Sequence, residues 1–186
     1  AWTRVNIEGR VASAVWMPDG ERLVMEAIDN QTQTKKTSIA SAHGAFEPQT
    51  LYVGEAQWHA VAPDESAILF ENMPQPAQWD IWRLPLNGDR VAEPFIATPV
   101  LEHNPSFSPD GRWVAYRSQE SGRSEIWVRP YPGPGPAHLV SIDGGRTPLW
   151  SQDGKEIFFV SRRTPHWLLM SAAVRSASEF HVEAPQ

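Results

Sequence analysis

Short apolar runs alternate along this chain with clusters of Pro, Gly, Asp and Asn, and the runs return on a fixed spacing. Leu23-Val24-Met25, Ile68-Leu69-Phe70, Val114-Ala115-Tyr116 and Ile157-Phe158-Phe159 each follow a tight-turn signature: Pro18-Asp19-Gly20, Pro63-Asp64-Glu65, Pro109-Asp110-Gly111 and Gln152-Asp153-Gly154. The turn aspartates Asp19, Asp64, Asp110 and Asp153 recur at intervals of 45, 46 and 43 residues. A constant period of this size marks one supersecondary unit copied four times. Three residues before each aspartate stand Trp16, Val61, Phe107 and Trp150, and four after it Leu23, Ile68, Val114 and Ile157. Apolar runs without polar alternation suit strands buried on both faces. In the turn, Pro presets its own backbone angle, Asp accepts local amides and Gly takes the left-handed position. Glu65 stands where the other copies have Gly, so that turn is expected to be strained or of another type.

A third strand is expected past each turn, clear at Ile81-Trp82-Arg83-Leu84 and Ile126-Trp127-Val128-Arg129 and weaker at Thr37-Ser38-Ile39-Ala40 and Trp167-Leu168-Leu169-Met170. A fourth follows near 49–53, 92–97, 137–142 and 179–183, and no stretch carries a useful helical period. Four short antiparallel strands per repeat make a propeller blade. The fold class is therefore all-β: a β-propeller of four four-stranded antiparallel blades, closed as a four-blade ring or forming half of an eight-blade dimer. The chain reads as one domain with blades at about 10–53, 54–98, 99–143 and 144–186, and residues 1–8 as a spare or closing outer strand. The segments 29–38 and 164–167 read as hairpin tips. A blade cannot bury both faces alone, so the residue three before each aspartate is expected in the seam between blades.

Composition narrows the function. There is no cysteine among the 186 residues, which excludes disulfides, thiolate metal sites and a Cys nucleophile. A net charge of −6 argues against nucleic acid as a partner. The basic pairs Lys35-Lys36 and Arg162-Arg163 are expected in solvated hairpin turns. No run approaches the length of a membrane-spanning helix, so membrane insertion is not expected. The start of the chain carries no readable export signal, leaving the compartment open between bacterial cytoplasm and periplasm.

The segment from Asn104 through Ser108-Pro109-Asp110-Gly111-Arg112 to Tyr116 resembles the repeat of TolB-like, WD-like β-propellers. Two further segments, Glu125-Ile126-Trp127-Val128-Arg129-Pro130-Tyr131-Pro132-Gly133-Pro134-Gly135 and Asp80-Ile81-Trp82-Arg83-Leu84-Pro85-Leu86-Asn87-Gly88-Asp89, resemble the propeller that follows the kinase domain in many bacterial serine/threonine kinases. The resemblance is strongest over about 55–161. It departs at Glu65, at Gln152 and through the first repeat. It implies the last four blades of such a propeller, and a twofold dimer of half-rings is favoured over a closed ring, because an open half-ring would leave apolar faces in water.

Catalytic patterns are missing from the sequence. It holds no Gly-x-Ser-x-Gly elbow, no kinase signature and no phosphate loop, and the prolines of Gly133-Pro134-Gly135 remove the amides a phosphate cradle needs. The six histidines show no metal-ligand spacing, so neither a metal nor a cofactor is expected. The repeated aspartates read as structural turn residues. Residues entering each innermost strand form the rim of the channel in a propeller. Seven and six residues before the aspartates stand Ala12, Gln57, His103 and Arg146, then Ser13, Trp58, Asn104 and Thr147. This variable, largely polar set nominates Gln57, Trp58, His103 and Arg146 as a binding rim, against a plain solvated loop. Trp79 reads as core packing or a peptide contact. The leading expectation is a non-enzymatic module binding a protein or peptide. Two alternatives stand: the resemblance implies a sensor or gating propeller of a larger kinase or prolyl-oligopeptidase-like enzyme, and Trp58 with Trp79 could stack on sugars.

Overall fold

The computed structural model describes residues 5–163, 165–175 and 180–186, with the side chains of Trp58, His59 and Arg163 outside that description. Every described element is a strand. The first sheet holds β1 (Arg10–Trp16), β2 (Arg22–Ile28), β3 (Lys35–Ser41) and β4 (Gln49–Val53); the second holds β5 (Gln57–Val61), β6 (Ala67–Gln75), β7 (Gln78–Pro85) and β8 (Glu93–Ile96). The third holds β9 (Glu102–Phe107), β10 (Trp113–Ser118), β11 (Glu125–Pro130) and β12 (His138–Leu139); the fourth holds β13 (Arg146–Trp150), β14 (Glu156–Arg163), β15 (His166–Arg175) and β16 (His181–Val182). Each sheet is an antiparallel meander in chain order, four strands per repeat, as the apolar pattern demands. Of the expected strand at 1–8, residues 1–4 lie outside the described set and 5–8 carry no strand.

The turns keep their mechanism in all four copies. Asp19 Oδ1 accepts the amide of Glu21 at 2.9 Å, Asp64 Oδ1 that of Ser66 at 3.0 Å, Asp110 Oδ1 that of Arg112 at 3.1 Å and Asp153 Oδ1 that of Lys155 at 3.1 Å. These bonds help hold all four carboxyls below the usual carboxylate range. Glu65 sits at φ 58° where Gly20, Gly111 and Gly154 sit at 69–70°, so the second turn keeps the same type with a non-glycine in the left-handed region.

The first strands lie side by side, β1 on β5, β5 on β9 and β9 on β13, and no comparable packing joins β13 back to β1 among the described residues. The blades form an arc with three internal seams, and alternate residues of each second strand serve opposite seams. Val24 joins Ile68 with Met17 and Ile39 between the first two blades, flanked farther out by Phe70, Leu84 and Ala56. Leu69, Ile81 and Ile96 meet Val114 and Tyr116 between the second and third. Ala115, Ile126 and Val128 meet Trp150, Ile157 and Phe159 between the third and fourth.

The residue three before each aspartate faces the preceding blade. Val61, Phe107 and Trp150 therefore enter seams, and Trp150 Nε1 donates across to Ser106 O at 3.2 Å. Trp16 does not: it is 58% exposed, because no described blade precedes the first. The basic pairs also differ from expectation. Lys35 and Lys36 lie in β3, and Arg162 in β14, not in turns. Lys35 Nζ stands 2.6 Å from Glu55 and 3.8 Å from Glu26, so the strand places its ammonium against carboxylates rather than in free solvent.

Candidate functional site

The meander fixes what each end of the arc carries. First strands run towards the aspartate turns, so all four turns cluster at one end. The other end gathers the starts of the first strands and the hairpin tips between second and third strands. There each first strand breaks register with its neighbour: between Val11 and Ser13, between Gln57 and Ala60, opposite Ala115 and Arg117, and between Arg146 and Leu149. Asn104 at φ 54° and Thr147 at φ 52° carry the corresponding left-handed turn of backbone. A bulge of this kind re-aims side chains, here those just before the apolar part of the strand.

The second strands point their seventh residue after the aspartate into the seam ahead at this same end: Glu26, Glu71 and Arg117, with Val160 in the last blade. Glu26 is buried and faces the second blade's Glu55 and Gln57, with Lys35 as its nearest cation. Burial pushes its carboxyl up, and Lys35 opposes that. Glu71 is fully satisfied across the next seam: His103 Nδ1 donates to Oε2 at 2.6 Å and Asn104 N to Oε1 at 2.6 Å. Arg117 stands within electrostatic reach of Glu71 of the second blade and Arg146 of the fourth, and among the described residues its buried Nε has no hydrogen-bond partner.

Two tryptophans from hairpin tips brace the rim. Trp79 packs on His103 with ring centroids 5.8 Å apart, and the Trp167 ring takes Arg146 at 5.5 Å and Arg162 at 5.7 Å. Behind the rim lie buried carboxyls. Glu102 accepts Thr98 Oγ1 and is pushed up to about 7, first by burial and then by its acidic neighbours Asp80 and Glu120. Glu125 accepts Ser141 Oγ and the amide of Gly144 at 3.0 Å, with Arg123 Nε at 2.5 Å. A groove of about 800 Å³ runs along the first strands to the opposite end, where Pro18, Pro63, Pro109 and Gln152 of the aspartate turns line it together with Phe107 and Trp150.

Gln57, His103 and Arg146 thus lie at one end of the arc on consecutive blades, each with its own partners rather than in one shared pocket. Gln57 pairs opposite Glu71, His103 opposite Arg117 and Arg146 opposite Val160. Trp58 has its backbone in β5 and its side chain outside the described residues. Asp19, Asp64, Asp110 and Asp153 lie at the opposite end. No three His, Asp or Glu side chains converge as metal ligands would among the described residues. Sequence reasoning missed Glu26, Glu71 and Arg117, although the same alignment, carried one residue beyond the apolar run, shows charge at that position in three of four copies.

No protein-family model matches the chain. Over 82 residues, 42% of its length, it is 39% identical to tricorn protease homolog 1 of Streptomyces coelicolor, and the match spans 8% of that protein. Among solved structures, putative TolB from Agrobacterium tumefaciens superposes with a TM-score of 0.76 at 18% identity, covering 89% of this chain and 64% of that one. A puromycin-hydrolyzing peptidase of Mycobacterium tuberculosis gives 0.70 at 15% identity, covering 95% of this chain and 30% of the peptidase. The fold is that of TolB-like and peptidase-associated propellers. The chain spans less than two thirds of each of these proteins.

Proposed function

We propose that this chain is a non-enzymatic interaction module that takes a protein or peptide at the rim carrying Gln57, Trp58, His103 and Arg146. One observation carries the reading. Equivalent positions of successive blades present different polar side chains at the same end of the arc, and two of them are held by stacked tryptophans, Trp79 and Trp167. Pre-positioned aromatic and arginine side chains at a rim are the residue types on which interfaces concentrate binding energy. The test is a pull-down with the chain and with the double variant His103→Ala/Arg146→Ala. The double variant is expected to keep its strand content and lose the partner; retention of every partner would move the site elsewhere.

A second reading is that the chain is the accessory propeller of a larger enzyme, and specifically the last four blades of such a propeller. The match to part of a tricorn protease homolog favours it. It is tested by the coding sequence flanking this one: a continuous reading frame into a peptidase or kinase domain supports it, and stop codons on both sides oppose it. The kinase-associated form rests on the blade motifs around Asp80–Asp89 and Glu125–Gly135. Carbohydrate binding at the rim, through Trp58 and Trp79, is the weaker alternative, and a glycan array without a hit removes it.

A further inference from the structure

The blades repeat, but the filling of their seams does not. The backbone fixes which residues correspond. Leu86 N donates to Ser66 O and Tyr131 N to Arg112 O, each reaching the second residue past its turn aspartate. Leu51 and Phe95 stand alike on the fourth strands, one residue before the partners of Thr37 and Ile81. Val61 and Phe107 both lie three residues before the aspartate. In the second seam these places hold three rings, and Tyr131 meets Phe95 at 5.4 Å and Phe107 at 4.9 Å between centroids. In the third seam Trp113 and Trp150 crowd around Phe180. In the first seam the three places hold Leu51, Val61 and Leu86. Interiors pack to the density of organic crystals, so three rings exchanged for three aliphatic side chains leave space that the repeat does not fill.

That space is a cavity of about 500 Å³ at the aspartate-turn end of the first seam, across the arc from the rim. Its floor is apolar: Met17 is 2% exposed and Ile39 8%, with Leu51 and Leu86 half-buried beside them. Charged side chains stand around its opening. Arg22 is already spent, on Asp19 at 2.5 Å and on Glu65. The remaining anion and cation are Asp64 and Arg90, both exposed. Among the described residues, Asp64 takes its hydrogen bonds from Ser66 and meets no cation. Arg90 turns its Nε back to Leu86 O at 3.1 Å, and among the described residues no ion pair uses the rest of its guanidinium. Asp64 and Arg90 thus line one cavity from two different turns of the second blade without pairing with each other.

We propose that this cavity binds a small zwitterion with an aliphatic body, an apolar amino acid or dipeptide, whose ammonium group meets Asp64 and whose carboxylate meets Arg90. The size is that of small-molecule sites, which combine an apolar lining with a few placed polar groups. A guanidinium with its Nη groups free matches a carboxylate in two-point geometry. A ligand of one sign would leave one of the two side chains unanswered, and a neutral apolar ligand would leave both. The aliphatic body takes the volume that Phe95 and Tyr131 occupy one seam further on. A single amino acid and a dipeptide offer the same two charged groups at different separations, so the source is separable. The site lies at the end opposite Gln57, His103 and Arg146 and does not depend on the partner assigned to them.

The experiment is a calorimetric titration of the full chain with five probes: leucine, leucyl-leucine, N-acetylleucine without an ammonium group, leucinamide without a carboxylate, and glycine without an apolar body. The expected result is saturable binding of leucine or leucyl-leucine, binding tenfold or more weaker for N-acetylleucine and leucinamide, and none for glycine. Tighter leucine assigns the single residue; tighter leucyl-leucine assigns the dipeptide. Asp64→Asn, which keeps an acceptor for Ser66 N, is expected to remove the discrimination against N-acetylleucine, and Arg90→Gln that against leucinamide. Leu86→Phe restores a ring to the first seam and is expected to abolish binding while keeping the strand content. Binding to Leu86→Phe as tight as to the parent would overturn the cavity. Where that variant does not fold, the two exposed-site variants decide, and unchanged discrimination in both would overturn the assignment. Equal binding of leucine, N-acetylleucine and leucinamide would overturn the zwitterion, and glycine binding as tightly as leucine would overturn the apolar body. No saturable heat with any probe would overturn the site.

Discussion

Among the described residues, Glu102 is a carboxyl without a cation. It is buried at the second seam behind the rim, accepts hydrogen bonds from Thr98 N and Oγ1, and faces Asp80, whose own carboxyl burial also pushes up. In the unfolded chain it ionises near its ordinary value of 4.5, and in the folded chain at about 7. Between these pH values the folded state holds a proton that the unfolded state has lost. Stability from this group is thus greatest below about pH 4.5, falls as pH rises to about 7, and is flat above. The ceiling of the effect is about 3 kcal/mol. The turn carboxylates move the other way, but their lowered values leave them ionised throughout this window. Denaturant unfolding at pH 5 and pH 8 is expected to show the parent losing stability with rising pH, and Glu102→Gln, which keeps an acceptor for Thr98, losing less. Parallel pH curves for the two proteins would contradict this. Glu65 shows the opposite arrangement, a local penalty with a local return. Its left-handed backbone costs about 1 kcal/mol, while its carboxylate accepts Asp19 N at 3.2 Å and pairs with Arg22 of the preceding blade. A part-exposed pair of that kind returns about 0–1 kcal/mol, which is why the turn keeps its type without glycine.

At the scale of the element, one repeat position has two fates. Trp150 is 7% exposed, packs on Phe180 and Ile157 and donates to Ser106 in the blade before it. Trp16 occupies the same position in the first blade and is 58% exposed. Trp150→Ala is therefore expected to cost about 3–5 kcal/mol in denaturant unfolding, and Trp16→Ala less than about 1 kcal/mol in the monomer. Similar costs at both sites would mean that the first blade is covered as the fourth is. The sequence could carry the strands because each apolar run is set by contacts within one repeat. The fourth strand at 49–53 and the third strands around Trp82 and Trp127 were legible for that reason. It could not carry Trp16, because exposure there depends on which blade stands in front, and identical local patterns leave that open. The rim was legible only as a position. His103 and Arg146 were found by alignment, but their partners Glu71, Trp79 and Trp167 come from other strands and, for His103, another blade, and only the register of the bulged strands brings them together.

The whole molecule is an arc with two unlike ends. The leading end exposes Trp16 and Val11; the trailing end exposes Leu149 at 63%, Leu169 at 75% and Trp167 at 52%. Leu169 pairs with Val160 and Leu149 with Phe158, so these side chains form one face of the fourth sheet, equivalent to the face that each internal blade buries against the next. Soluble chains seldom leave contiguous apolar faces of this kind in water. Inside the arc a trailing face always meets a leading face, so two copies set head to tail about a twofold axis would form two identical seams of a type the chain already makes three times. The chain is therefore predicted to sediment and scatter light as a dimer at micromolar concentration. Leu149→Glu with Leu169→Glu, which places charge on the trailing face and touches no internal seam, is expected to give a single-chain mass with unchanged strand content. A single-chain mass for the parent would eliminate the dimer. A dimer that survives both charges would show that the copies meet somewhere other than these ends, and the Trp16 indole then remains in water.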